Sequence, residues 1–482
     1  MDFPLLLDPD SALALHRQVY LGIRGAILSG RLTRGQRLLS SRALAGLLEI
    51  SRATATLACE QLVGEGYLEA RRGSGTYVCA SLPEEYLAPL DAPDRDLNPA
   101  VRPALSGFGR RLEGLGDPGG PRNLPYDFAP DRPALDEFPM ALWSRLLARQ
   151  CRAASPELLA YAADPAGHAP LREAVADYLR RSRAVRCQAD QVIVLSGAQQ
   201  AIDLALRVLV DPGETVAMED PGYPGARRAF LAHGARILPL PIGKDGLDLA
   251  GLKRSPVRLT YVTPSHQYPT GVVLDLAHRL ELLTWARERG AMVFEDDYDS
   301  EFRYQGRPLP AMQGLDGAGA VLYAGTFSKA LFPGLRLGYL VAPAALAGPL
   351  TRAVALTSRQ APVLEQGALA EFIREGHLDG HLRRMRTLYG VRREALVEAL
   401  DRCFGDRVAI LGASGGMHLM ARFSVARPDG ELVRRAAELG VGLVPAAGFH
   451  LAPAPGSGFI LGFSALTPAR IREGVRRLAT LF

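Results

Sequence analysis

The 482-residue chain holds three lysines, at positions 244, 253 and 329, so nearly every cation is an arginine. It has five cysteines (Cys59, Cys79, Cys151, Cys187, Cys403), scattered and without a C-x-x-C pair. That spacing suggests neither a disulfide framework nor a zinc site, and it fits a reducing compartment. No apolar run approaches a membrane span. Met1–Asp10 is acidic and lacks the basic start of a signal peptide. What remains is ordinary globular material, 48% hydrophobic and 22% charged, long enough for two or three domains. A net charge of +5 demands no nucleic acid until it is localised.

The cations do localise. Between positions 31 and 72 stand seven arginines (31, 34, 37, 42, 52, 71, 72) against four acids (49, 60, 65, 69). Leu13, Val19, Ile23, Ile27 and Leu28 give residues 12–28 a helical rhythm, stopped by Gly30. Ser40 or Ser41 caps a second helix carrying Leu44, Leu47 and Leu48. Ser51 caps a third, 52–63, closed by Gly64 and Gly66. The second and third read as a helix-turn-helix. Residues 67–71 and 76–79 read as strands around Arg72-Gly73-Ser74-Gly75, a hairpin whose glycines allow close approach to a phosphate backbone. Ser41, Arg42, Ser51, Arg52, Thr54 and Thr56, with Arg72, Gly73, Ser74 and Gly75, are the candidate DNA contacts. The sequence thus predicts an N-terminal winged helix-turn-helix over 1–80, with double-stranded DNA as partner. Residues 81–124, rich in Pro, Gly and Asp, read as a linker.

From 125 to 482 strands and helices alternate, which predicts an α/β domain on a mostly parallel sheet, with sites at the carboxyl ends of its strands. A small α+β subdomain is expected from about 345 to the end. Lys329 is expected on a loop between apolar runs 320–324 and 339–341, in Thr326-Phe-Ser328-Lys329, seven residues before Arg336. A lysine in a partly apolar loop has its charged form disfavoured, so the amine of a Schiff base becomes accessible. Hydroxyls and a guanidinium beside it suit a phosphate, and together these groups suit pyridoxal phosphate. Ser196-Gly197-Ala198-Gln199 turns a strand into a helix expected over 201–210, placing free N–H groups at a positive helix end. Glu295-Asp296-Asp297-Tyr298 ends a strand 33 residues before Lys329. A carboxylate there can keep a pyridine nitrogen protonated, and the register leaves Asp296 and Asp297 both open.

The first segment resembles the GntR-type winged helix. The carrying residues are Leu39-Ser-Ser-Arg-Ala-Leu-Ala45, Ser51-Arg-Ala-Thr54, Glu60-Gln-Leu-Val-Gly-Glu-Gly-Tyr-Leu68 and Arg72-Gly-Ser-Gly-Thr-Tyr-Val78. Leu39 stands where that family usually has Pro. Residues from about 126 resemble fold-type I aminotransferases through Tyr161-Ala-Ala-Asp-Pro-Ala-Gly167, Pro221-Gly-Tyr-Pro224, Pro269-Thr-Gly271, Asp296-x-Tyr298 and Thr326-x-Ser-Lys329 with Arg336. Joined, they are similar to the MocR subfamily of transcription regulators. The resemblance implies that Lys329 carries the internal aldimine of pyridoxal phosphate and that Asp296 meets its ring nitrogen. It implies Tyr223 stacked on the ring, Tyr298 on its 3′-oxygen, and Ala198, Gln199, Thr326, Ser328 and Arg336 on its phosphate. Tyr161 would reach a neighbouring subunit in a domain-swapped homodimer. The implied setting is cytoplasmic, with a small-molecule effector. Tyr268 replaces the usual Asn before Pro-Thr-Gly. Ile460 replaces the Arg that grips a substrate α-carboxylate, and Ile forms no ion pair with a carboxylate. That departure implies weak transamination at most. It admits pyridoxal phosphate itself as the effector, controlling vitamin B6 synthesis genes; an active aminotransferase, or an amine or amino-acid effector, is the alternative.

Overall fold

The computed structural model describes residues 7–9, 11–84, 104–116, 124–161, 163–243, 246–304, 310–424, 427–454 and 456–482. Lys244 and most of the expected linker lie outside these. The chain divides into two compact units, Met1–Ala104 and Leu105–Phe482.

The first unit is built from α1 (Leu15–Leu28), α2 (Ser41–Leu47) and α3 (Arg52–Gly64), followed by β1 (Leu68–Arg71) and β2 (Gly75–Val78). The strands pair antiparallel, Leu68 opposite Val78. Val19, Ile23, Leu44, Ala55, Leu62 and Val78 are buried and hold the three helices to the hairpin. Three positions of the expected apolar face turn outward: Leu13, Leu28 and Leu47 are 49%, 44% and 53% exposed. Leu13 precedes the helix. Leu28 follows Ile27 by one residue, and a 100° step takes it off the buried face. Ser40, not Ser41, caps α2, accepting from the Ala43 amide at 3.2 Å.

The second unit opens with a helix, Gly107–Glu113, within the stretch expected to be linker. Arg111 docks it by donating to the Ala232 and His233 carbonyls at 2.8 and 3.1 Å. The strands then run β3 (Tyr126–Asp127), β4 (Val192–Leu195), β5 (Thr215–Asp220), β6 (Arg236–Gly243), β7 (Gly246–Leu247), β8 (Val257–Val262), β9 (Met292–Asp297), β10 (Val321–Thr326) and β11 (Gly338–Val341). The order in the main sheet is β4-β11-β10-β9-β8-β5-β6-β7. The pairs from β10 through β9, β8 and β5 to β6 are parallel, while β11 runs against both its neighbours. These strands are apolar on both faces, as a sheet covered by helices on two sides requires.

After β11 the expected helical stretch resolves into Ala344–Thr357, Val363–Arg374 and His377–Phe404. A four-stranded antiparallel sheet follows, from β12 (Val408–Leu411), β13 (His418–Phe423), β15 (Val444–Pro445) and β16 (Ser457–Gly462), with β14 (Val441–Gly442) apart. β14 pairs with β3, so residues near 126 are drawn into the C-terminal region. Phe128, wholly buried, lies against the closing helix Pro468–Ala479, where Gly474 makes room for its ring.

Candidate functional site

In the N-terminal unit, α3 starts at Ser51, whose hydroxyl accepts from the Thr54 amide at 3.0 Å and lies 2.8 Å from the Thr54 hydroxyl. Arg42 and Arg52 are exposed, while Ser41, Thr54 and Thr56 are half-buried. At the hairpin tip Arg72, Gly73, Ser74 and Gly75 are all exposed. Gly73 and Gly75 have φ of 71° and 115°, which the tight turn needs and side chains resist. Arg71 is committed locally, bonded to Glu69 at 2.6 Å and lying over the Tyr77 ring.

In the second unit one cleft of about 240 Å³ opens where parallel strands end. Gly197 follows β4, Tyr223 follows β5, Thr263 follows β8, and Lys329 follows β10, with Asp296 near the end of β9. This is the crevice at strand carboxyl ends that a doubly wound sheet makes available.

One end suits an anion. Gly197 holds φ 127° and ψ 178°, open only to glycine, and turns the chain into a helix that begins at Ala198 rather than 201. The amides of Ala198 and Gln199 are the first of that helix and have no acceptor within it. Thr326, Ser328 and Arg336 line the same end. Arg336 has φ 53°, a left-handed conformation that an arginine adopts at a cost. Lys329 stands not on a loop but in a one-turn helix, Phe327–Ala330, capped by the Thr326 hydroxyl at 3.2 Å. Its Nζ donates to the Asp131 carbonyl at 3.1 Å and lies 3.9 Å from Asp131 Oδ2.

The other end is carboxylate and phenol. Asp296 Oδ2 accepts from the Tyr261 hydroxyl at 2.7 Å, and Oδ1 is buried without a partner among the described residues. Burial pushes its carboxyl up to about 7, against the pull of the Tyr261 bond. Strand alternation settles the register. Asp297 faces away, held by Arg183 Nε at 2.7 Å and the Tyr323 hydroxyl at 2.5 Å. The Tyr298 hydroxyl is 2.9 Å from His266 Nδ1, itself 3.1 Å from Asp299 Oδ2. Burial lowers the His266 pKa and the Asp299 charge raises it; the net direction is up. His266, Asp299 and His418, all buried, bring one donor atom each within 4.8 Å of one another. The Tyr223 ring stands edge-on to Tyr268 at 5.6 Å.

Nine of the ten expected cofactor residues therefore line this cleft, together with Asp131, Gly197, Tyr261, Thr263, Tyr268 and Pro333. Tyr161 does not: it is 81% exposed, with the Arg359 guanidinium 5.5 Å from its ring centroid. Asp131 carried no sequence signal beyond a polar residue between two prolines. Tyr261 looked like one more apolar strand residue.

Residues 15–78 match the family model for bacterial regulatory proteins of the gntR family, and residues 142–478 match aminotransferase class I and II. The chain is 42% identical over 480 residues to the probable rhizopine catabolism regulatory protein MocR of Rhizobium meliloti, covering 99% of this chain and 96% of that one. The chain belongs to the MocR group of gntR-family transcription regulators. It is also 30% identical over 470 residues to the pyridoxine biosynthesis regulator PdxR of Corynebacterium glutamicum, across 96% and 94% of the two chains. LysN, the α-aminoadipate aminotransferase of Thermus thermophilus solved with N-(5′-phosphopyridoxyl)-L-leucine, superposes with a TM-score of 0.68 at 33% identity, covering 78% of this chain and 94% of LysN. The architecture is thus a GntR winged helix and a fold-type I aminotransferase domain, and a MocR-type head implies DNA binding. No described helix is long and apolar enough to cross a membrane.

Proposed function

We propose that this chain is a transcription regulator whose aminotransferase-like domain binds pyridoxal 5′-phosphate and, through a small-molecule effector, controls a winged-helix DNA reader. The observation that carries the reading is the convergence, in one cleft, of the Lys329 amine, the unpartnered buried oxygen of Asp296, and a helix mouth flanked by Arg336. Those are the three groups an aldehyde, a pyridine nitrogen and a phosphate ask for. When bound, the cofactor supplies an aldehyde that reacts with amines and a ring that draws off electrons.

On this reading Lys329 is the covalent anchor. Asp296 receives the ring nitrogen, Tyr223 covers the ring and Tyr298, oriented by His266, meets the 3′-oxygen. The Ala198 and Gln199 amides, Thr326, Ser328 and Arg336 hold the phosphate. The exposure of Tyr161 fits a contact across a domain-swapped homodimer. The ten residues on α2, α3 and the hairpin contact the operator in the cytoplasm. Differential affinity of cofactor and effector for two domain arrangements would then shift DNA occupancy.

Ile460 is wholly buried against Met420, Ala446 and Phe449, so no guanidinium stands at that position. This supports feeble transamination. It also favours a second reading, in which pyridoxal phosphate itself is the effector; the Corynebacterium relative is named as a regulator of pyridoxine biosynthesis. An operator-binding titration with and without pyridoxal phosphate tests both. Binding that changes with the cofactor alone supports the second reading. Binding that changes only when an amine is added supports the first. DNA binding indifferent to cofactor and amines alike would defeat the regulatory proposal.

A further inference from the structure

The cofactor groups account for one part of the cleft; what remains is dominated by a residue that the sequence did not single out. Asp131 has φ 66°. The left-handed region costs an ordinary residue free energy, and Asp is among the few side chains that tolerate it. That conformation turns the Asp131 carbonyl to Lys329 Nζ at 3.1 Å and gives its Oδ2 to the Tyr268 hydroxyl at 2.8 Å. Oδ1 is buried and has no partner among the described residues. The neighbouring cation cannot neutralise it: Arg132 is paired with Asp127 at 2.8 Å.

The cleft's charges are equal in number. Its lining holds two cations, Lys329 and Arg336, and two acids, Asp131 and Asp296. On the cofactor reading, on which this inference rests, Lys329 is consumed by the aldehyde, Arg336 by the phosphate and Asp296 by the ring nitrogen. His266 and Asp299 are paired with each other behind Tyr298. Asp131 is the charge left facing the ligand. Behind Tyr268, which lines the cleft, Met420, Ile460 and Phe449 pack together, and Arg422 stands on the same face of β13 as Met420. A carboxylate entering the cleft meets a like charge at Asp131. An ammonium meets a preplaced, partly desolvated carboxylate oxygen.

We propose that the effector is a primary amine without a carboxylate, and that Asp131 is the residue that selects it. The pair of features is coherent: loss of a carboxylate clamp at 460 and gain of a carboxylate at 131 both favour the same ligand charge.

The test uses full-length protein loaded with pyridoxal phosphate, titrated calorimetrically with matched probes. L-alaninol is set against L-alanine, and serinol against L-serine. The amino alcohols are expected to bind at least about tenfold more tightly than the acids. Asp131→Asn and Asp131→Gly, both of which accept a positive φ, should remove that preference in protein that still develops the visible band. Acids that bind as tightly as the alcohols overturn the proposal, as does binding of neither class, or a preference that survives both substitutions. A protein that never develops the absorbance band overturns the cofactor reading as well. A band that forms, followed by preference for acids, overturns the amine class alone.

Discussion

Tyr261 donates its hydroxyl to Oδ2 of Asp296 at 2.7 Å, from the neighbouring strand, and leaves Oδ1 buried without a partner among the described residues. The pair is buried, and burial raises the Asp296 pKa from 3.8 to about 7. A raised carboxyl binds its proton more tightly folded than unfolded. Its contribution to stability is therefore full below about pH 4 and is lost as pH rises through about 7. Asp296→Asn cannot ionise. Cofactor-free variant and parent, melted from pH 4 to 8, should differ in slope, with the variant flatter. Equal slopes would remove Asp296 from the response.

Lys329→Ala should abolish the visible band with pyridoxal phosphate. It should change the melting free energy by less than about 1 kcal/mol, because the contact to Asp131 Oδ2 at 3.9 Å is long and partly exposed. Absorbance and thermal melting read the two effects separately. A persistent band assigns the anchor elsewhere.

Gly197→Ala is expected to destabilise by about 1–3 kcal/mol and to weaken phosphate binding. A Cβ there meets nothing within 4 Å, so the loss is backbone strain and not collision. Gly25→Ala is the contrast: an exposed position inside α1, also with open space, where alanine should stabilise by about 0.5–1 kcal/mol. Chemical denaturation of both variants measures the signs.

Arg52→Ala should weaken operator binding and reduce the salt dependence of the affinity by about one phosphate contact. Arg71→Ala should do less, since Arg71 is already bonded to Glu69 and lies over Tyr77. Anisotropy titrations at several salt concentrations distinguish them, and an unchanged Arg52→Ala affinity takes that residue out of the interface.

The winged helix and the alternating strands were legible because apolar periodicity, serine caps and glycine stops are local signals. Lys329, Asp296 and Arg336 were legible because each sits in a motif spaced along one stretch of chain. The register at Asp296 was not, since either neighbour satisfies the pattern until pairing fixes which face looks at the cleft. The start of the helix at Ala198 was missed because Gly197 carries the turn through its own dihedral angles and not through any capping side chain. Leu28 and Leu47 were misjudged because composition marks a residue as apolar without saying which way it turns. Asp131 lay beyond reach for a different reason. It meets Lys329 across 198 residues, and no local pattern encodes such a meeting.

That span has a consequence for biosynthesis. The walls of the cleft are collected from position 131 to position 336, whereas the described part of the winged helix is complete by position 84. During N-to-C synthesis the DNA reader can fold while its ligand chamber is still in pieces. Nascent and truncated chains would thus carry the head without the cleft.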